Sequence, residues 1–363
     1  MNKKKHFGIK LDSYLQIIRT LVALSIAIII AVVIIFMVSD EPLNALNYFF
    51  ISPFRSLRYF GNIIEMAIPL TFTGLAISIM FQGGQFNLGA TGNFWVGGVI
   101  AAILAIKLDL PFGINAIVIL IFSGICGGLV GFIPGYLKAK FKTNEMVTSL
   151  MLNYVVFYLG FFIIRQYFRD SSASDMVSLT FHKSAELIKI IPGTRIHMGL
   201  LVAIGVIVLC YLFLYKSKWG YQIRMLGFNK KFAEYSGINT FRTIIYVQVI
   251  GGIIAAIGGA TEMLGMYDRF VWKEERTYGW DGIMIAILAR RNPALVPVAA
   301  IFLAYIRVGA DIMGRHTNVQ SEIVALIQGI LILFIAAERF LYAWRNKMIF
   351  KKATKEAEGG TTV

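Results

Sequence analysis

Five polar side chains sit where the sequence is otherwise apolar: Asn87, Asn93, Asn153, Trp280 and Asp281. An amide held away from water can donate to and accept from the hydroxyls or ring edge of a small molecule, so Asn87 and Asn93 are candidates for recognising a polar solute. The same amides can cap a break in a helix, and the two roles are compatible. Asn153 lies about two turns inside an apolar run, where an unpaired amide is costly, so it either bridges helices or faces a polar route. Asp281 heads a short helical stretch and favours that helix's dipole whatever else it does. Its neighbour Trp280 either stacks on a planar ring or anchors at a membrane surface.

Covalent chemistry has no comparable foothold. His6, His182, His197 and His316 are scattered over termini and loops without a paired carboxylate or metal-ligand spacing, and no Gly-x-x-x-x-Gly-Lys-Ser/Thr phosphate loop occurs. Cys126 and Cys210 both lie inside apolar runs, where each reads as a small hydrophobe. The expectation is a chain without a cofactor or metal of its own and without catalysis, drawing any energy it uses from a partner or an ion gradient.

The elements that must position those residues follow from composition. Of 363 residues, 57% are hydrophobic and 15% charged, with a mean hydropathy of +0.70, far beyond a soluble domain. A hydrocarbon core about 30 Å thick needs roughly 20 apolar residues per crossing. Such runs fall at about 20–38, 62–80, 86–107, 113–136, 145–165, 197–215, 240–262, 278–291, 294–313 and 321–342, predicting an all-α polytopic membrane protein of about ten transmembrane helices. The transmembrane domain then occupies 1–348, and 349–363 is a polar, disordered tail.

The net charge of +15 would suggest nucleic acid in a soluble protein, but here the Lys and Arg flank apolar runs, so no nucleic-acid partner is expected. Basic clusters at Lys3, Lys4, Lys5 and Lys10 and at Arg345, Lys347, Lys351 and Lys352 put both termini on the cytoplasmic side of a cell membrane. Two crossings are compromised. The run 86–107 opens on Phe86-Asn87-Leu88-Gly89, and 278–291 is too short for a bilayer, so both read as broken or half-length helices. Irregular backbone at membrane depth is tolerated only where protein buries it or where it lines a watery cavity, which makes these two places the expected route. Grouping crossings two to five and seven to ten gives a probable inverted repeat.

The longest predicted cytoplasmic loop, 216–239, is more than a polar link. Asn229 is a good N-cap, Gly237 can take the left-handed position after the last turn, and Phe232, Ala233 and Ser236 share one face of the intervening short helix. Such a helix either fills a groove on a cytoplasmic partner or lies on lipid headgroups.

Within that loop the residues Gly220, Arg224, Gly227, Asn229, Ala233, Gly237 and Ile238 keep a spacing that resembles the permeases of ATP-binding-cassette importers for branched-chain amino acids, ribose and nucleosides. Phe86-Asn87-Leu88-Gly89, the run Asn144 to Tyr154, Tyr278-Gly279-Trp280-Asp281-Gly282 and Asn292-Pro293 agree with it in order, with Thr91 and Asn93 departing from the family's usual Glu and Gln. The Asn-Glu-x-Val-Thr run and Pro192 to His197 are most similar to the nucleoside, or simple-sugar, branch. The resemblance implies transport of a nucleoside through a path half formed by this chain. It also implies a separate cytoplasmic ATPase holding ATP and Mg, a second homologous permease in a heterodimer, and an extracellular lipid-anchored binding protein. It assigns ATPase coupling to Gly220, Arg224, Gly227, Asn229, Phe232, Ala233 and Gly237. The alternative class is a secondary transporter of a small polar solute driven by an ion gradient.

Overall fold

The computed structural model describes residues 29–319 except 31 and 38, together with 326, 329 and 330. Most of the predicted first crossing, 20–38, nearly all of the predicted last one, 321–342, and the 349–363 tail lie outside the described residues. Between them the chain is helical: α1 (Pro42–Phe50), α2 (Ser52–Arg55), α3 (Leu57–Gln82), α4 (Ala90–Lys107), α5 (Ile114–Phe141), α6 (Glu145–Tyr167), α7 (Gly199–Lys216), α8 (Lys218–Phe228), α9 (Lys230–Tyr235), α10 (Thr240–Met266), α11 (Tyr278–Leu288) and α12 (Val296–His316). Among the described residues seven helices, α3 to α7, α10 and α12, are long and apolar enough to cross a membrane, and the shorter α11 is also apolar.

Local sequence sets these limits. Asn144 starts α6 by accepting the Met146 N–H at 2.9 Å, and Asn239 starts α10 by accepting that of Arg242 at 3.0 Å. Lys142, in left-handed conformation at φ 56°, closes α5. Two expectations change. The crossing expected from residue 86 becomes helical only at Ala90, because the Phe86 and Leu88 N–H groups are spent on α6 and that of Gly89 on the Asn87 side chain. The 216–239 loop holds two helices rather than one: the Ser217 side chain accepts the Gly220 N–H at 3.0 Å and founds α8 ahead of α9.

The chain divides into two compact units, one comprising Phe54–Tyr305 and the other Met1–Pro53 with Ile306–Val363. In the larger unit α10 is central, packed along α5, α4 and α3, with α11 against α3. Burial follows that arrangement: the apolar stretches of α3, α4 and α10 are 83%, 67% and 67% buried, those of α6 and α7 only 28% and 22%. The two latter present Tyr158, Leu159, Phe162, Val208 and Leu209 outward, as lipid-facing helices do. In the smaller unit, the Tyr48 ring stacks on His316 with centroids 4.9 Å apart and Asn318 donates to Asp40 at 3.0 Å.

Small residues let α10 approach its neighbours. A Cβ on Gly259 would stand 1.9 Å from the Phe94 carbonyl oxygen, and one on Gly97 would stand 2.0 Å from that of Ala256. Gly259→Val should therefore lower the detergent melting temperature, with an overpacking cost of about 1–3 kcal/mol or more, whereas Gly205→Val, which meets nothing within 4 Å, should leave it unchanged. Thermal unfolding of the purified chain checks the pair.

Candidate functional site

The segment between α3 and α4 leaves helical geometry, and several of its backbone groups bond side chains of the surrounding helices. Gly84 turns the chain at φ +68°. The Phe86 N–H donates to Glu145 at 3.1 Å, and the Leu88 N–H to the Ser149 hydroxyl at 3.0 Å. Asn153 donates to the Leu88 carbonyl at 2.9 Å and accepts the Gly92 N–H at 3.1 Å. Asn153 lies eight residues, about 12 Å, along α6, so this irregular backbone reaches well inside the bundle.

A buried amide chain backs the same segment. Asn87 donates to Gln248, Gln248 donates to Gln85, and Gln85 donates to the Ile244 carbonyl at 3.1 Å. Asn87 also accepts the Gly89 N–H, so both ends of its amide are engaged within the protein. Asn93 is 2% exposed, and its oxygen has no hydrogen-bond partner. Gln85, Gln248 and Ser149 were missed by sequence reading; the signal for Gln248 was a neutral polar residue in the middle of an apolar crossing.

The two broken elements meet. A Cβ on Gly279 would lie 2.0 Å from the Thr91 hydroxyl and 2.5 Å from the Thr91 nitrogen, so the first turn of α11 rests on the first turn of α4. From there α4 runs away from α8 and α9, while α11 runs beside α3 toward them: Gly282 abuts Thr73, and the Arg291 carbonyl accepts from Gln82 at 2.9 Å. Two helix N-termini, each bearing the positive end of a backbone dipole, thus converge inside the bundle, an arrangement suited to electronegative groups of a solute. Asp281 lies there and is 4% exposed, whereas Trp280 keeps 47% of its surface open. Sequence-chosen residues from 87 to 93, 153 and 280 to 281 are thereby gathered along one interface.

A charged layer adjoins it. Glu262, near the end of α10, is buried at 4% exposure, and one of its carboxylate oxygens has no partner. The irregular segment after α10 folds back over it. The Tyr278 phenol reaches Glu262, and Arg276 and Glu65 face it electrostatically. Arg276 donates to the Tyr267 hydroxyl at 2.8 Å and its guanidinium stands 5.4 Å from the Trp272 ring centre. His197, two residues before α7, is pushed down to about 4 by burial and accepts the Gly199 N–H at 3.1 Å.

At the opposite end, α8 is seated directly on the irregular segment: a Cβ on Gly227 would stand 1.9 Å from the Gln82 carbonyl oxygen, and one on Gly84 would lie 3.0 Å from the Gly227 Cα. Gly220 fits as closely, a Cβ there falling 2.2 Å from the Phe213 carbonyl oxygen, and the Arg224 guanidinium lies 5.2 Å from the Tyr215 ring centre. Asn229 caps α9 by accepting the Phe232 N–H at 3.1 Å, and Gly237 follows it at φ +78°. Ala233 is fully buried while Phe232 is 52% exposed, so the two do not share one buried face. Phe228 and Tyr235 project beside Phe232 at 88% and 91% exposure.

Among the described residues, seven membrane-length helices around a gathered polar interior define a multi-pass membrane protein. Residues 59–336 match the family described as branched-chain amino acid transport system / permease component, and the chain belongs to that family. It is 32% identical over 290 residues to the guanosine ABC transporter permease protein NupP of Bacillus subtilis, covering 78% of this chain and 82% of that one. It is 28% identical over 334 residues to the glucose ABC transporter permease protein TsgB13 of Haloferax volcanii, covering 89% and 87%. With the nucleoside ABC transporter permease protein NupB of Lactococcus lactis it shares 26% identity over 353 residues, 94% and 96% of the two chains.

Gln248→Leu should leave Asn87 and Gln85 with buried unpaired groups. The expected cost is about 1–3 kcal/mol for each group left unmatched, read as a lower melting temperature, together with reduced uptake by the assembled transporter.

Proposed function

We propose that the chain forms half of the translocation pathway of an ATP-binding-cassette importer for nucleosides. The carrying observation is mechanical: α8 lies in backbone contact with the segment that opens the polar interior, while α9 next to it offers Phe232, Phe228 and Tyr235 to a partner. An exposed aromatic group on a short capped helix fits a groove on a cytoplasmic ATPase, which supplies ATP and Mg and does the hydrolysis. Relatives named for guanosine and nucleosides support the substrate class, and one named for glucose shares its hydroxylated ring.

In this reading α8 and α9 face the cytoplasm, both termini do too, and 349–363 is a cytoplasmic tail. The full chain makes about ten crossings in an inverted repeat within a membrane domain spanning 1–348. A second homologous permease completes the pathway as a heterodimer, and a lipid-anchored extracellular protein delivers the solute. Asn87, Asn93, Asn153, Trp280 and Asp281 belong to the substrate pathway, Asn87 and Asn153 by shaping its backbone. Gly220, Arg224, Gly227, Asn229, Phe232, Ala233 and Gly237 belong to the coupling segment.

Phe232→Asp should abolish nucleoside uptake into vesicles while the chain still inserts and remains folded. Normal uptake by that variant would defeat the coupling assignment. Uptake by the purified chain alone, driven by an ion gradient without ATPase, would favour a secondary transporter instead.

A further inference from the structure

An ionisable side chain inside a membrane bundle is expensive unless it is paired or used. Glu262 is not closed off by its neighbours: the nearby Arg276 binds the Tyr267 hydroxyl instead, and its own Nε is buried without a partner, as is one Glu262 oxygen. Thr261, the preceding residue, also holds a buried hydroxyl without a partner. Glu65, from α3, adds a second carboxyl with Arg195 near it. Aromatic side chains enclose the group, with Tyr278, Tyr267 and Trp272 each within its reach or that of Arg276.

On the face opposite α8 and α9 a cavity of about 670 Å³ is lined by Lys183, Glu186, Leu264, Gly265, Tyr267 and Asp268, among others. Tyr267 therefore has one side in that cavity and its hydroxyl on Arg276, one layer above Glu262. Immediately beyond Glu262 lie Tyr278 and the paired N-termini of α4 and α11.

We infer that Glu262, supported by Glu65 and Arg276, is a hydroxyl-binding station that takes the vicinal diol of the nucleoside's sugar. A carboxylate accepts two adjacent hydroxyls at once, the guanidinium donates to a sugar oxygen, and aromatic rings cover the apolar face of the ring. The inference rests on the nucleoside reading above and names the part of the solute that is recognised within the permease.

The test compares uptake of a ribonucleoside with that of its 2′,3′-dideoxy analogue by the assembled importer. Wild type should favour the ribonucleoside, and Glu262→Gln should reduce that preference by roughly tenfold or more, the loss expected for a hydrogen bond to a charged group. The same binding protein serves both variants, so its own preference cancels in the ratio. An equal loss for both solutes, or an unchanged ratio, overturns the inference while leaving the nucleoside reading intact. Failure of the wild type to move any nucleoside overturns that reading itself. A second measurement needs no variant: carbodiimide labelling of Glu262 in the wild-type complex, mapped by mass spectrometry, should be slowed by the ribonucleoside and not by the dideoxy analogue. Equal labelling with both solutes counts against the station.

Discussion

Backbone that leaves helical geometry inside a membrane has no water to satisfy it, and every N–H and C=O it exposes must find a partner within the protein. The stretch from Gly83 to Gly89 is where this constraint acts, and the surrounding side chains are arranged around it. Glu145, Ser149 and Asn153 recur at four-residue intervals along one face of α6, and each bonds the backbone of that stretch or of the first turn of α4. From the other side Gln248 of α10 ties Asn87 to Gln85. Removing the irregular stretch would make these polar groups a liability in an apolar bundle, so segment and amides require each other.

The same economy explains the glycines. α10 lies at the centre because its small residues allow the backbones of α4 and α5 to come close. Lipid-facing α6 and α7 carry bulky side chains where α10 has glycine. The bundle therefore separates two kinds of helix surface, one shaped for helix contact and one for hydrocarbon.

Much of this was legible in the sequence, and the limits have physical causes. Of the ten crossings expected from apolar run length, seven coincide with membrane-length helices among the described residues, because burial in lipid makes a demand each segment meets alone. The caps Asn229 and Gly237 marked α9, since capping is also local. α8 was not legible, because its residues 218–228 alternate apolar and polar types and its packing is set by the distant Gln82 and Gly84. The surroundings of Glu262 are illegible for a similar reason: it lies near the end of an apolar run, and what buries it is a later segment that folds back. Asn87 and Asn153 stand out in the sequence as amides in apolar runs, yet their partners, Gln248 and the Leu88 and Gly92 backbone, are pairings that no local pattern announces.

These contacts also constrain how motion at one face reaches the interior. Gly227 touches Gly84 and the Gln82 carbonyl with no side chain between them, so a displacement of α8 meets the irregular segment as a hard contact rather than through a deformable layer. That segment is tied through Asn87 and Gln85 to Gln248, and Gln248 shares α10 with Glu262, fourteen residues and about 21 Å further along. A helix does not stretch along its axis, so a shift or tilt imposed at Gln248 is carried to Glu262. There it acts on a carboxylate whose neighbours Tyr278, Arg276 and Glu65 belong to other segments and need not move with it. The charged layer and the irregular 83–89 segment are thus held at two levels of one rigid helix, and in the proposed importer relative movement between α10 and the 267–278 segment would convert closure at one face into release at the other.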